Sequence, residues 1–366
     1  MNIVLAIDSF KGCLTTVEAE IAAAEGAKQA VKEANVTAVP MSDGGDGMLE
    51  VFAHALHAKL VEVDVHDALM RSVRAKYAVT SDETAIIEAA QACGIALISP
   101  EERDAEHATS FGVGELINAA WYRGCRRFIV GLGGSATSDC GMGMLSALDT
   151  AISMESEPLD IVLASDVKNP LYGKNGAAFV YAMQKGATAE QVERLDMKAR
   201  QFASESAKLL GRDLSMAQGA GAAGGLGYAF MQYLGAKMQS GAELLLRLTG
   251  FDTILQTADY VITGEGNADC QTLMGKLPSV ILHHAKAAEV PIWLIAGSIS
   301  DRERLLAAGF DRAESINPPR PCIRRRQSAT LAQPYADCCG KKWYVCRTDR
   351  YETDFTGILQ FFSIIL

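Results

Sequence analysis

A chain of 366 residues exceeds the ~250–300 residues at which single cores stop growing, so two domains are expected. Its 49% hydrophobic content and 33 glycines suit a soluble α/β enzyme with many tight strand-to-helix turns. The net charge of −10 argues against a nucleic-acid binder, which carries a basic footprint, yet leaves room for anionic small molecules held by a few lysines and backbone N–H groups.

The first predicted element is a strand over residues 3–7, entered from Met1-Asn2 without a basic-plus-apolar leader. It ends in Asp8-Ser-Phe-Lys-Gly12, and Thr15-x-x-Glu18 forms a capping box for a helix reaching residue 34. A second strand over 36–41 runs into Ser42-Asp-Gly-Gly-Asp-Gly47, with another helix from Met48. Parallel strands with short Gly-rich carboxyl ends predict a doubly wound sheet. From Lys59 the pattern changes: residues 60–66 and 73–79 alternate with period two, and 84–88 is a further short strand, as in a second domain with an antiparallel or mixed sheet.

A helix over 112–123, a buried strand over 127–131 and the turn Gly133-Gly-Ser-Ala-Thr-Ser-Asp139 follow. Next come a strand over 160–165, a long helix from a Thr188 cap to 210, and the glycine run Gly219–Gly227 leading into a helix over 228–235. Strands over 259–264 and 291–296 restore the Rossmann-like pattern. The simplest architecture is one α/β domain built from both ends of the chain and interrupted by a second, with ligands in the cleft between them. Residues 318–366 hold eight Lys/Arg against four Asp/Glu, four of the nine cysteines and the run Arg324-Arg-Arg326; without a period of 2.0 or 3.6 they read as a solvated or poorly ordered tail. No apolar run approaches the ~18–20 residues that span a bilayer, so a cytoplasmic protein without membrane contact is expected. The odd number of cysteines, with no C-x₂-C pair, predicts free thiols.

The densest chemistry lies in Thr263-Gly-Glu-Gly-Asn-Ala-Asp-Cys-Gln-Thr-Leu-Met-Gly-Lys276, which reads as a strand, a Gly-rich turn and a helix. Glu265 and Asp269 in that turn, with Gln271, Thr272 and Lys276 close behind, are suited to hold a metal and a phosphate together; the plain alternative is a loop with solvated acids. Ser9 and Lys11 beside Asp8 are close enough to bind one anionic group. Asp43 and Asp46 suit metal or hydroxyl ligands, or an ordinary Asp-Gly turn. Gly131-Leu-Gly-Gly-Ser135-Ala-Thr137 presents N–H groups and hydroxyls ahead of a helix over 141–148, a phosphate or carboxylate nest without the Walker A pattern. Asp166 at a strand end suits a base, a metal ligand or a cap, and Gln184-Lys185-Gly186 puts a lysine before a helix start. Neither a nucleophile elbow nor a Ser-His-Asp arrangement is visible. Acids, lysines and glycine turns without a nucleophile point to phosphoryl transfer, with aspartates supplying a base and a Mg²⁺ site.

Asp8-Ser-Phe-Lys-Gly12, Pro40-Met-Ser-Asp-Gly-Gly-Asp-Gly47, Thr109-Ser-Phe-Gly-Val-Gly-Glu115, Gly131–Thr137, Ser165-Asp-Val-Lys-Asn-Pro170, Gln184-Lys-Gly-Ala-Thr188, Gly219–Gly227 and Thr263-Gly-Glu-Gly266 resemble, in order and as far as Pro319, the type 1 bacterial glycerate kinase family. The resemblance implies ATP-dependent phosphorylation of D-glycerate, usually to 2-phosphoglycerate, with Mg²⁺ as companion. It also implies a flavodoxin-like domain from residues 1–60 plus 255–319 and an inserted α/β domain over 61–254, leaving 320–366 as an atypical tail. Three departures stand out: Asn267 where the family has Arg, a missing insert of a few tens of residues between Leu148 and Asp160, and a C-terminal stretch from Arg320 that matches nothing, as if a shifted frame had replaced a helix.

On this reading Lys11, Asp43, Asp166 and Asp269 are the catalytic candidates, with Glu265 and Asp269 on Mg²⁺. Asp8, Ser9, Lys11, Asp46, Gln271, Thr272 and Lys276 contact D-glycerate. Gly133, Gly134, Ser135, Thr137, Gly221, Gly224, Gly225, Gly264 and Gly266 cradle ATP, in a monomer or homodimer. The competing classes are an inactive ligand-binding relative and a phosphatase or mutase on small phosphorylated acids.

Overall fold

The computed structural model describes residues 1–10, 14–42, 44–45, 47–153 and 159–316, and the backbone of 334–336 and 342–344. Its strands in chain order are β1 (Asn2–Ile7), β2 (Asn35–Ala38), β3 (Lys59–His66), β4 (Ser72–Val79), β5 (Thr84–Glu88), β6 (Arg127–Gly131), β7 (Asp160–Ala164), β8 (Lys237–Gln239), β9 (Tyr260–Ala268), β10 (Ile292–Ile299), β11 (Arg312–Ser315), β12 (Pro334–Ala336) and β13 (Lys342–Tyr344). The chain divides into two units, residues 1–41 with 250–366 and residues 42–249.

In the first unit the sheet order is β2-β1-β9-β10-β11, and every pairing is parallel. Counted within the unit, this is the 2-1-3-4-5 order of flavodoxin-like sheets, whose ligand position is the switch point between the first and third strands. Here that point lies at the carboxyl ends of β1 and β9. Residues Ile3–Ile7 are buried throughout, as a strand covered on both faces requires. The helix Thr16–Ala30 starts from the expected capping box, with the Glu18 carboxylate bound by Thr15 and held below its usual range. It turns Ala19, Ala22, Ala23 and Ala27 onto Ile3, Leu5, Ile7 and Ile262, small residues that let helix and sheet approach closely.

One residue on that helix breaks the pattern. Glu20 is buried; one carboxyl oxygen accepts from Ile7 N at 3.4 Å and the other has no partner among the described residues. Its neighbour Ile21 is half exposed. Burial pushes the Glu20 carboxyl well above its ordinary value, with the Ile7 N–H opposing weakly.

The second unit holds a six-stranded mixed sheet in the order β3-β4-β5-β6-β7-β8, antiparallel across β3, β4 and β5 and parallel from β5 to β8. The edge pair carries charge outward, Arg74 bridging Glu62 and Asp64, which discourages edge-to-edge association. The division between units falls at 41/42 and 249/250, whereas the boundaries expected from the sequence lay at 60/61 and 254/255. Hydrogen bonding explains the shift. The helix Met48–Ala55 begins on the carboxylate of Glu88, which ends β5 and accepts from Gly47 N at 3.0 Å and Leu49 N at 2.9 Å. That helix therefore goes with the second sheet.

Residues 317–366 were expected to lack structure; within them β12 and β13 form an antiparallel pair. The arginine run and the suspected frame change lie outside the described residues. Among the described residues no helix is long and apolar enough to cross a membrane.

The Glu20 carboxyl is protonated more readily in the folded state than in the unfolded chain. Stability is therefore full below the ordinary glutamate value of ~4.3 and declines as pH rises toward the raised folded value. Glu20→Gln keeps the shape and cannot ionise. Melting curves should coincide with those of the unmodified protein at pH 4 and show a more stable variant at pH 8; equal differences at both pH values would contradict the assignment.

Candidate active site

At the switch point of the first unit, Gly264 joins the two strands that matter. Its carbonyl accepts from Asp8 N at 2.9 Å, and a Cβ there would come within 2.8 Å of Ile295 O and Ile295 Cγ1. Only glycine permits that approach. Asp8 Oδ1 accepts in turn from Ser9 N at 2.7 Å, which sets both half-buried residues at the strand end.

The stretch read as a Gly-rich turn is strand. β9 stays paired with β10 through Ser298↔Asn267 and Ile299↔Ala268, because β10 also extends to Ile299 instead of ending near 296. Glu265 is consequently a strand residue, and Gly266 is half-buried beside it. The turn begins at Asp269, whose side chain accepts from Gln271 N at 2.8 Å and caps the short helix Cys270–Leu273. The helix Leu277–Ala287 follows Lys276.

Glu265 is buried; Oε1 accepts from Thr272 Oγ1 at 2.5 Å, and Oε2 lies 3.3 Å from Lys276 Nζ. Burial raises its carboxyl above the usual range, while the Thr272 hydroxyl and the Lys276 ammonium oppose that shift. Asn267 links the strands: Nδ2 donates to Asp269 Oδ2 at 3.1 Å and Oδ1 accepts from Ser298 Oγ at 2.5 Å. Every carboxylate oxygen of Glu265 and Asp269 thus has a donor, and the Lys276 ammonium stands where a cation would compete. The pair expected to hold Mg²⁺ does not fit the ion in this arrangement, and among the described residues no group of three or more His, Cys, Asp or Glu could hold a metal. Gln271 is exposed, so it remains accessible to a ligand.

The second cluster lies at the carboxyl ends of β5, β6 and β7. Gly133 N donates to Gly44 O at 3.3 Å, a Cβ on Gly133 would sit 2.4 Å from Gly45 Cα, and one on Gly44 would sit 2.5 Å from Ala164 O. Backbone packs on backbone here. Gly134 adopts φ +68°, and for the N–H groups of Gly134 and Ser135 no acceptor is found among the described residues. Successive free N–H groups around a left-handed residue form an anion nest. The helix expected to extend that nest is already occupied: Asp139 accepts from Gly141 N at 3.0 Å, Gly143 N at 3.1 Å, and Ser110 N and Oγ both at 2.8 Å. The chain's own carboxylate caps the helix Met142–Ala147 and ties it to residue 110.

Gly221, Gly224 and Gly225 are buried, and added Cβ atoms would meet Pro170 O at 2.3 Å, Thr137 O at 2.0 Å and Cys140 Cα at 2.8 Å respectively. Their geometry serves close packing beneath the turn. Behind that turn stands Lys185, a residue to which the sequence assigned no role. It is buried, and Nζ donates to Thr137 O at 2.6 Å and Ser135 Oγ at 3.1 Å. Asp166 is exposed just after β7. Lys11, Asp43 and Asp46 lie outside the described residues. Cys93, Cys125 and Cys140 are free and buried, and burial pushes the thiols of Cys93 and Cys140 up to about 12; Cys270, by contrast with the expected free thiol, is disulfide-bonded.

Comparison with known proteins places these features in one family. The sequence profile described as "Glycerate kinase family" matches residues 3–158 and 150–332. The match therefore runs past Pro319, where the recognisable motifs end, and it comes in two stretches that overlap at residues 150–158. The glycerate kinase of Bacillus subtilis (strain 168) is 38% identical over 346 residues, covering 87% of this chain and 91% of the relative. The glycerate 2-kinase of Escherichia coli (strain K12) is 36% identical, covering 82% of this chain and 86% of the relative. A crystal structure from Salmonella typhimurium LT2, provisionally assigned as glycerate kinase 2, superposes with a TM-score of 0.76 at 36% identity, covering 86% of this chain and 90% of that one.

Asp139→Ala removes the common acceptor of five donors and leaves buried N–H groups unpaired. A loss of roughly 3 kcal/mol is expected, read from the shift in urea unfolding midpoint, with Asp139→Asn falling between. An alanine variant within 1 kcal/mol of the unmodified protein would refute the anchoring role.

Proposed function

The chain belongs to the glycerate kinase family, and on that membership we propose that it transfers the γ-phosphoryl group of ATP to the 2-hydroxyl of D-glycerate, giving 2-phosphoglycerate and ADP. The observation that carries this reading is the family match over most of the chain, joined to a free N–H nest at the end of β6. The choice of the 2-hydroxyl follows the relative named glycerate 2-kinase. As an ATP-using metabolic kinase it would work in the cytoplasm.

In this proposal the turn Gly133–Thr137 holds the nucleotide phosphates with backbone N–H groups, the arrangement that phosphoryl transfer favours because it positions charge without covalent chemistry. Gly224 supports that turn from beneath at Thr137, while Gly221 and Gly225 pack on residues 169–171 and 140. Asp8, Ser9 and Lys11 bind D-glycerate, with Ser9 offering a hydroxyl donor to its carboxylate. Asp46, Gln271 and Lys276 contribute further polar contacts. The acceptor oxygen attacks phosphorus, the bond to the bridging oxygen of ADP breaks, and the hydroxyl proton passes to a carboxylate, for which Asp43 and Asp166 are the candidates. Glu265 acts with Thr272 and Lys276 as a fixed hydrogen-bonded group at the end of β9. The Mg²⁺ that accompanies ATP would be carried on the nucleotide's own oxygens.

Two measurements test the proposal. A coupled assay should release ADP only when ATP and D-glycerate are both present; ligand binding without ADP would leave an inactive relative, a reading favoured by Asn267, the short stretch between Leu148 and Asp160 and the atypical tail. Phosphorus NMR of the product should show the 2-phosphate ester, and a 3-phosphate ester would correct the acceptor. Asn267→Arg should lower the KM for ATP severalfold if a cation at that position reaches phosphate; an unchanged KM would show that Asn267 costs nothing.

A further inference from the structure

Lys185 ends the short turn Met183–Lys185, and Gly186 behind it adopts φ +96° where a Cβ would lie 2.5 Å from Arg103 O. The backbone is thereby forced to aim the lysine inward. Its ammonium donates to two neutral oxygens, the Thr137 carbonyl and the Ser135 hydroxyl, and among the described residues it makes no ion pair. Asp139, an acid whose charge acts on it, has its oxygens engaged by residues 109, 110, 141 and 143. A buried ammonium without a counter-ion is costly, by several kcal/mol even after relaxation. For the N–H groups of Gly134 and Ser135 in the same turn no acceptor is found among the described residues, and Thr137 Oγ1 is buried beside the Cys93 thiol. A positive charge held by neutral oxygens thus stands behind the turn, and the turn itself carries N–H donors.

We propose that Lys185 is the positioning residue of this turn: it pins Ser135 and Thr137 from behind and supplies the positive charge that the phosphates of a bound nucleoside triphosphate neutralise. The inference rests on the reading of the Gly133–Thr137 turn as the phosphate cradle. The charge, however, is conditional. Burial lowers the Lys185 amine to about 8, opposed by Cys93 and Asp139. Of the other groups that face it, burial holds the Cys93 thiol up at about 12, and Arg103 packs on the adjoining turn, donating to Gln184 O. ATP itself is fully ionised above pH 7, since secondary phosphate ionisation lies near ~6. Affinity for ATP should therefore fall as pH rises through about 8, the direction set by loss of the ammonium proton.

The test is calorimetric titration of the full chain with ATP at pH 7 and pH 9.5, for the unmodified protein and for Lys185→Met. The unmodified protein is expected to bind about ten-fold more weakly at pH 9.5, and the variant to bind about ten-fold more weakly than it at pH 7 with no further change at 9.5, as loss of one buried charge behind the cradle implies. The KM for D-glycerate should move less than twofold. A Kd that stays flat across this pH range overturns the inference whatever the variant does, so an unfolded variant does not rescue it. Failure of the unmodified protein to bind ATP at pH 7 removes the kinase reading itself, whereas ATP-dependent turnover with a pH-independent Kd sinks the role of Lys185 alone.

Discussion

Backbone brought against backbone at the carboxyl ends of parallel strands is the constraint on which both units depend. Gly264 admits β10 and β1 to contact distance and hands its carbonyl to Asp8. Gly133 and Gly44 do the same between a turn and a distant loop, and Gly224 lies under Thr137. Side chains at these points would push the loops apart by more than an ångström, and the polar groups they carry would lose their common orientation. A glycine-rich composition is the trace of this packing in the sequence, and the N–H groups at Gly134 and Ser135, without an acceptor among the described residues, are its chemical product.

Three buried ionisable groups show how the same low-polarity surroundings serve different ends. Glu20 has one weak partner and is driven toward its neutral form, a cost without visible chemical return. Glu265 is driven the same way, yet Thr272 and Lys276 hold it in place at the end of β9. Lys185 is a cation paired only with neutral oxygens, so its charge is left over for whatever approaches the turn it supports. Burial alone does not separate these cases. The number and charge of the partners does.

Local signals were readable in the amino-acid order. The Thr15 capping box, the Thr188 cap, the alternating strands β3 and β4 and the buried strand β6 depend on contacts within a few residues, and they form where expected. The length of β9 was not readable, because Asn267 and Ala268 become strand only when β10 extends beside them. Nor was the allegiance of the helix Met48–Ala55, which is decided by Glu88 some forty residues away. Asp139 was visible as an acid beside a glycine turn, but the five donors that it gathers come from residues 109 to 143.

The sequence by itself determined the family, the parallel and mixed sheets and the glycine-rich strand ends, since ordered motifs and short-range periodicity survive without any knowledge of distance. Only the tertiary structure decided that Glu265 is a strand residue bound to Lys276, that the anion nest is partly filled by Asp139, and that Lys185 stands behind Thr137, about fifty residues away along the chain. Hydrogen bonds and charge act through space and over a few ångströms, so the partner that sets a side chain's chemistry is chosen by the fold and leaves no mark at the position itself.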